Sequence, residues 1–271
     1  MKNQLLLLVV LTMIVISCRK DQSLTETSPI SPTDVLHSFT INGKLTQVLE
    51  KAGVYYAAED LILSTTQFNL LKSMSDTGTS TTPRSTTINN LSQTWPNGVV
   101  YYSLGSTTKT ASIAAAMAHI SSLTSITFVQ RTNQSNYVEF RNSTGNSSNL
   151  GMIGGRQYIN LYNDIMGITA HEILHSLGIH HEQTRPDRDQ YIIINWDNIV
   201  TASQFNYTLA TSYTGVGTFD FDSIMLYYPY NGFNIDYSIP TMTRLDGTTW
   251  PYQRTALSSG DIAGINYIYG N

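Results

Sequence analysis

Four of the chain's six histidines stand in one short run, His171-Glu172-Ile173-Leu174-His175-Ser176-Leu177-Gly178-Ile179-His180-His181-Glu182. So dense a cluster of a rare residue constrains the fold more than any other feature of the sequence. On a helix, His171 and His175 are four residues apart and leave one face roughly 5 to 6 Å from each other, close enough to share an ion. Gly178 can take a left-handed conformation, end that helix and turn the chain back. His181 then reaches the same ion as a third ligand. Three neutral imidazoles leave a fourth position for a water whose pKa zinc lowers to about 7, and Glu172, beside the first ligand, is free to take its proton. A His-x-x-x-His pair by itself also recurs on ordinary helices; the glycine and the third histidine at these offsets favour a zinc site. His180 fits no ligand spacing and receives no role.

The longer run from His171 through Glu182, Arg185, Asp187, Arg188, Asp189 and Tyr191 resembles the signature of the astacin metalloendopeptidases, within the metzincins. Glu182, directly after the third histidine, is the residue that separates astacins from other metzincins. Downstream, Ser223-Ile224-Met225-Leu226-Tyr227 resembles the family's Met-turn. The resemblance implies Met225 as an apolar floor beneath the metal, and Tyr227 as a phenol reaching toward it, able to donate to an oxyanion or to act as an additional ligand. It also implies an α+β fold, with a twisted, mixed five-stranded sheet and two long helices in an upper subdomain above a largely irregular lower one. The similarity runs from about Trp95 to Tyr269. Family members often carry cysteine pairs around this domain, and none exists here, because Cys18 is the sole cysteine.

In chain order, Lys2 precedes an apolar run over residues 5–16, too short for a permanent span and suited to a signal peptide covering 1–17. Val15-Ile16-Ser17-Cys18 resembles a bacterial lipobox, so a lipid on Cys18 is expected, with 18–34 as a polar tether carrying Pro29 and Pro32. No intrachain disulfide can form. Residues 35–84 read as a propeptide and linker. Within them Tyr55-Tyr56-Ala57-Ala58-Glu59-Asp60-Leu61 resembles the astacin propeptide motif, which assigns Asp60 to the zinc in a latent form. Residues 72–93 are rich in Ser, Thr and Asn and read as an exposed linker, with activation cleavage expected near Arg84; the resemblance implies that the freed amino terminus pairs with Glu182.

Residues 85–271 read as the catalytic domain. Strands are expected at 99–103, 126–131, 137–141 and 158–161; the astacin resemblance implies that the last is the open sheet edge where an extended peptide adds, while its residues alone fit an interior strand as well. Helices are expected at 110–123, at 196–205 behind an Asn195 cap, at 258–267, and through the zinc motif with Thr169 as N-cap. His119 reads as a helix-lining residue and not a ligand. A net charge of −4 without a basic block excludes a nucleic-acid partner. The sequence thus points to an exported, envelope-anchored zinc endopeptidase acting on proteins or peptides, with an envelope binding or adhesion module that keeps zinc for structure as the alternative.

Overall fold

The computed structural model describes residues 31, 33–76, 93–213 and 215–270. The expected signal peptide, Cys18 and Arg84 lie outside the described residues, and among those described no helix is long and apolar enough to cross a membrane.

Alternating apolar residues build the centre of the molecule. Strand β5 (Val99–Leu104) runs parallel to β6 (Thr127–Gln130) on one side and to β7 (Tyr137–Asn142) on the other, and β7 runs parallel to β9 (Arg156–Leu161). β8 (Ser147–Asn149) closes this mixed set of five by pairing antiparallel with β9. Val100, Val138, Phe140, Ile159 and Leu161 point from one face and are buried. They pack on Ile113, Ala116 and Ile120 of helix α2 (Thr110–Leu123) and on Ala170, Ile173 and Leu174 of helix α3 (Met166–Ser176). Each large aliphatic side chain removed from water this way contributes on the order of 1.5–3 kcal/mol. The expected helix over 110–123 therefore forms with the expected face inward, and α3 carries the first two histidines of the motif at full burial.

The sheet does not end at β8. The N-terminal segment forms an antiparallel meander of β1 (Val35–Ile41), β2 (Lys44–Lys51), β3 (Val54–Ala58) and β4 (Leu61–Leu63), followed by helix α1 (Thr65–Asp76). β4 lies parallel to β8, so the strands run in one nine-stranded sheet, β1-β2-β3-β4-β8-β9-β7-β5-β6. This corrects two expectations. The strand over 158–161 is interior, flanked by β7 and β8, and β8, the outermost of the five, is itself covered by β4; its Ser-Ser-Asn sequence carries no strand pattern because its pairing is made by main-chain atoms. Lys72 belongs to α1, so the linker begins later than composition implies.

Below α3 the chain is irregular, as expected. Short 3₁₀ turns and a two-stranded ribbon of β10 (Ile192–Ile194) and β11 (Met242–Arg244) enclose a second core of Ile199, Tyr207, Phe233, Met242 and Trp250. The α-helix expected over 196–205 is instead two 3₁₀ segments, Trp196–Asn198 and Thr201–Tyr207, with no side-chain cap from Asn195. Asn198 breaks the run: its side chain donates to Asp236 O and Ile239 O, tying this stretch to a distant loop in place of a helical repeat. The final helix α4 (Ser259–Tyr269) starts at a capping box in which Ser258 Oγ accepts from Asp261 N and the Asp261 carboxylate accepts from Ser258 N.

Candidate metal centre and active site

Helix α3 begins at Met166, three residues before the expected cap, and Thr169 is buried with its hydroxyl donating to Ser112 Oγ at 3.1 Å. Its end follows the sequence reading. Gly178 lies at φ +99, its N–H bonds His175 O at 2.9 Å, and Ile179 N–H bonds Leu174 O at 3.0 Å. This paired closure satisfies the last carbonyls of the helix and reverses the chain so that His181 returns to it. Glu182 N then donates to Met225 O at 3.1 Å, locking the return to the 223–227 turn.

His171, His175, His181 and Asp60 converge, with one ligand atom of each within 4.8 Å of all the others. His171 Nδ1 lies 2.8 Å from Ile224 O and His175 Nδ1 lies 2.7 Å from Ile179 O. A carbonyl only accepts, so both rings carry their proton on Nδ1 and present bare Nε2 lone pairs to the centre. Burial lowers the pKa of His171 to about 4 and that of His175 well below its ordinary value, which keeps both rings neutral. His181 Nε2 sits 3.2 Å from His171 Nε2, and Asp60 Oδ2 is 3.3 Å from both nitrogens. His175 Nε2 is buried without a partner among the described residues. The bare Nε2 of His171 faces the Asp60 carboxylate oxygen, two acceptors that repel one another at this range, and a divalent cation between them removes the repulsion. Three imidazole nitrogens and a carboxylate oxygen are a donor set zinc takes.

The neighbours fit hydrolysis. Glu172 is 1% exposed, its Oε2 has no hydrogen-bond partner among the described residues, and burial, with Asp60 adding to it, raises its pKa well above the carboxylate range. Tyr227 stacks edge-on to His181 at 4.5 Å between ring centroids and its hydroxyl donates to Asp60 Oδ1 at 3.4 Å. Burial keeps that phenol protonated. Met225 is buried in the main core. Asp261, in the first turn of α4, accepts from Ser223 Oγ at 2.6 Å and Ile224 N at 2.9 Å, and so fixes the carbonyl that orients His171.

Glu182 Oε1 accepts from Arg185 Nη1 at 3.1 Å and Asp220 N at 2.9 Å, while burial raises its pKa to about 7. A cavity of about 100 Å³ adjoins it, lined by Glu182, Asp220, Asp261 and Tyr267 among others. His180 packs on Tyr213 with centroids 3.7 Å apart and takes no part in the cluster. His119 Nε2 accepts from Leu257 N at 3.0 Å, a packing role.

One residue of the site is invisible to spacing arguments. Arg254 Nη1 donates to Leu226 O at 3.2 Å and Gln253 O at 2.6 Å, and no carboxylate among the described residues lies within ion-pair reach of it. Its charge acts on His171, Glu172 and Tyr227, although 82 residues separate it from Glu172 in the chain. Only folding brings them together.

A family profile described as Astacin, a peptidase family, matches residues 87–270. Flavastacin of Elizabethkingia meningoseptica is 44% identical over 94% of this chain and 61% of its own length. High choriolytic enzyme 1 of Oryzias latipes is 37% identical over 59% of this chain and 60% of its own. The solved structure of the latter, a hatching enzyme zinc-protease, matches at TM-score 0.61 and 35% identity, covering 65% of this chain and 92% of that one. The chain spans about three fifths of the length of these two curated relatives. With the histidine trio, the Met-turn and this match over most of its length, the chain belongs to the astacin family of zinc metalloendopeptidases.

Proposed function

We propose that this chain is the precursor of a zinc endopeptidase that cleaves proteins or peptides outside the cytoplasm. His171, His175 and His181 hold the metal, and zinc bound there supplies a Lewis acid that acidifies water and polarises the scissile carbonyl. Glu172 takes the proton of the attacking water and hands it to the departing amine nitrogen. Its carboxylate is placed for both halves of that task, with Oε2 making no hydrogen bond among the described residues. Tyr227 donates to the oxyanion, a task for which its buried, protonated phenol is prepared. Met225 supports the site from the core.

In the precursor, Asp60 takes the place that water needs, and strand β4 covers the sheet edge along which an extended substrate would align. Residues 35–84 thus act as propeptide and linker, with cleavage near Arg84 releasing an amino terminus for the acidic cavity beside Glu182. Residues 1–17 serve as signal peptide, and Cys18 carries the lipid that holds the protein at the cell envelope. Arg254, a cation that acts on the base and has no carboxylate within ion-pair reach among the described residues, favours substrates with a carboxylate side chain next to the scissile bond.

The observation that carries the reading is the convergence of three imidazole nitrogens and one carboxylate within 4.8 Å, next to the buried Glu172. The test uses a chain lacking its first 84 residues, incubated with casein or gelatin. Cleavage that chelation abolishes and that Glu172→Ala removes supports the enzyme. A chain that binds one zinc and cuts nothing is the binding module of the alternative reading.

A further inference from the structure

We propose that residues 33–76 are a self-contained inhibitory domain that remains on the cleft after the chain joining it to the catalytic domain is cut, so that a single cleavage in the linker does not switch the enzyme on. The proposal rests on the reading of Asp60 as the group that blocks the cleft.

The segment has a core of its own. Phe39, Ile41, Val48, Ala58, Leu61, Leu63, Phe68 and Leu71 form one buried cluster to which the catalytic domain contributes Leu150 and, packed against it, Tyr213, while the two catalytic cores take no residue from 33–76. Phe68 of α1 stacks on Tyr55 at 3.9 Å between centroids and meets Phe39 edge-on at 5.8 Å. The first three strands are joined by two tight turns, Asn42-Gly43 at φ +52 and +73 and Ala52-Gly53 at φ +50 and +78, whose left-handed pairs match the twist of the hairpins they close. All strand pairing inside the segment is between neighbours in sequence, the pattern that forms without help from distant chain.

Its attachment to the rest of the molecule is broad. On the upper side Ser148 N donates to Asp60 O at 2.9 Å, Leu150 N to Ile62 O at 3.0 Å, and Gln67 Nε2 to Leu150 O at 2.9 Å. Across the cleft, buried Thr46 Oγ1 donates to Leu209 O at 2.6 Å and lies 2.8 Å from Thr211 Oγ1, while Glu59 N donates to Asn206 Oδ1 at 2.7 Å. Asp60 reaches the histidines between these two anchors. A covalent link adds an effective concentration on the order of millimolar. An interface that grips both walls of the cleft with a preformed domain belongs with protease–inhibitor contacts, for which nanomolar binding is ordinary. Cutting the link therefore leaves the complex standing at micromolar enzyme, and activity needs a second event that digests or unfolds residues 33–76.

The experiment takes the full chain with a recognition sequence for a site-specific protease placed within residues 77–92. After cutting, the Glu172→Ala form is passed over a sizing column at micromolar concentration, and the form retaining Glu172 is assayed on a peptide. We expect the two pieces to elute together, and the cut enzyme to show under about a tenth of the activity of the chain lacking its first 84 residues until the segment is digested. Thr46→Val, which deletes two buried contacts of the segment and touches nothing in the catalytic machinery, should speed release about tenfold. Separation of the pieces together with full activity of the cut chain overturns the proposal and leaves Asp60 as a tethered block. An uncut chain already as active as the trimmed one instead refutes the reading of Asp60 on which the proposal rests.

Discussion

Replacing Gly178 tests the geometry of the centre without touching a ligand. The residue sits one position past the C-cap of α3 at φ +99, and its conformation permits the two bonds to His175 O and Leu174 O at 2.9 and 3.0 Å. A side chain there has two courses. Holding the backbone costs about 1–2 kcal/mol for an ordinary left-handed L-residue, and more at an angle this far from the left-handed minimum, so about 2–3 kcal/mol. Rotating to negative φ forfeits two buried bonds at about 1 kcal/mol each and swings the following residues away. His181 follows three residues later and must keep its Nε2 3.2 Å from that of His171. Either course predicts a loss of stability near 2–3 kcal/mol for Gly178→Ala, less for Gly178→Asn and most for Gly178→Val, with zinc affinity falling about 10- to 100-fold in the same order. Urea unfolding of the metal-free chain and zinc competition with a chromophoric chelator read the two quantities separately. If alanine leaves both unchanged, or asparagine is worse than valine, the argument from backbone angle is wrong.

Removing the Asp261 carboxylate as alanine strips acceptors from Ser223 Oγ, Ile224 N and Ser258 N and should cost about 3–6 kcal/mol in denaturant unfolding, whereas Asp261→Asn, which keeps one acceptor oxygen, should lose roughly half as much. Tyr227→Phe should lower kcat about 100-fold in the trimmed enzyme with KM nearly unchanged, measured on one peptide substrate. Arg254→Leu should reduce kcat/KM about 10- to 100-fold for peptides with aspartate next to the scissile bond and little for neutral ones; an equal fall for both classes would assign Arg254 to structure. Chelation should lower the melting temperature of the trimmed chain, with zinc at 100 times its dissociation constant restoring about 2.7 kcal/mol and magnesium, which prefers oxygen ligands, restoring nothing.

The candidate centre was legible because the three proposed ligands, the proposed base and the helix-ending glycine fall within eleven residues, where local geometry alone decides which atoms meet. Asp60 was legible only through its resemblance to a motif, since 111 residues separate it from His171. Arg254 carried no signal at all: it is brought to Glu172 by the packing of an irregular stretch. Strands β5, β7 and β9 announce themselves by apolar alternation, whereas β8, made of Ser147, Ser148 and Asn149, has no such pattern and exists because neighbouring main chains need partners. The stretch from Trp196 carries enough apolar residues for a helix. It yields to Asn198, whose amide gains two carbonyl partners that a helix would deny it.

The seam between β4 and β8 has a consequence for handling the protein as well as for its chemistry. While it is closed, the donors and acceptors along that margin of the sheet are spent on the molecule's own chain, and the full chain offers little there for a stranger to zip onto. On the proposed reading, trimming opens a row of unsatisfied amides and carbonyls beside the candidate centre, and the polypeptide most abundant around a concentrated sample is another copy of itself. Mature preparations should therefore self-digest and clump in proportion to concentration, and storage as the untrimmed form should preserve them.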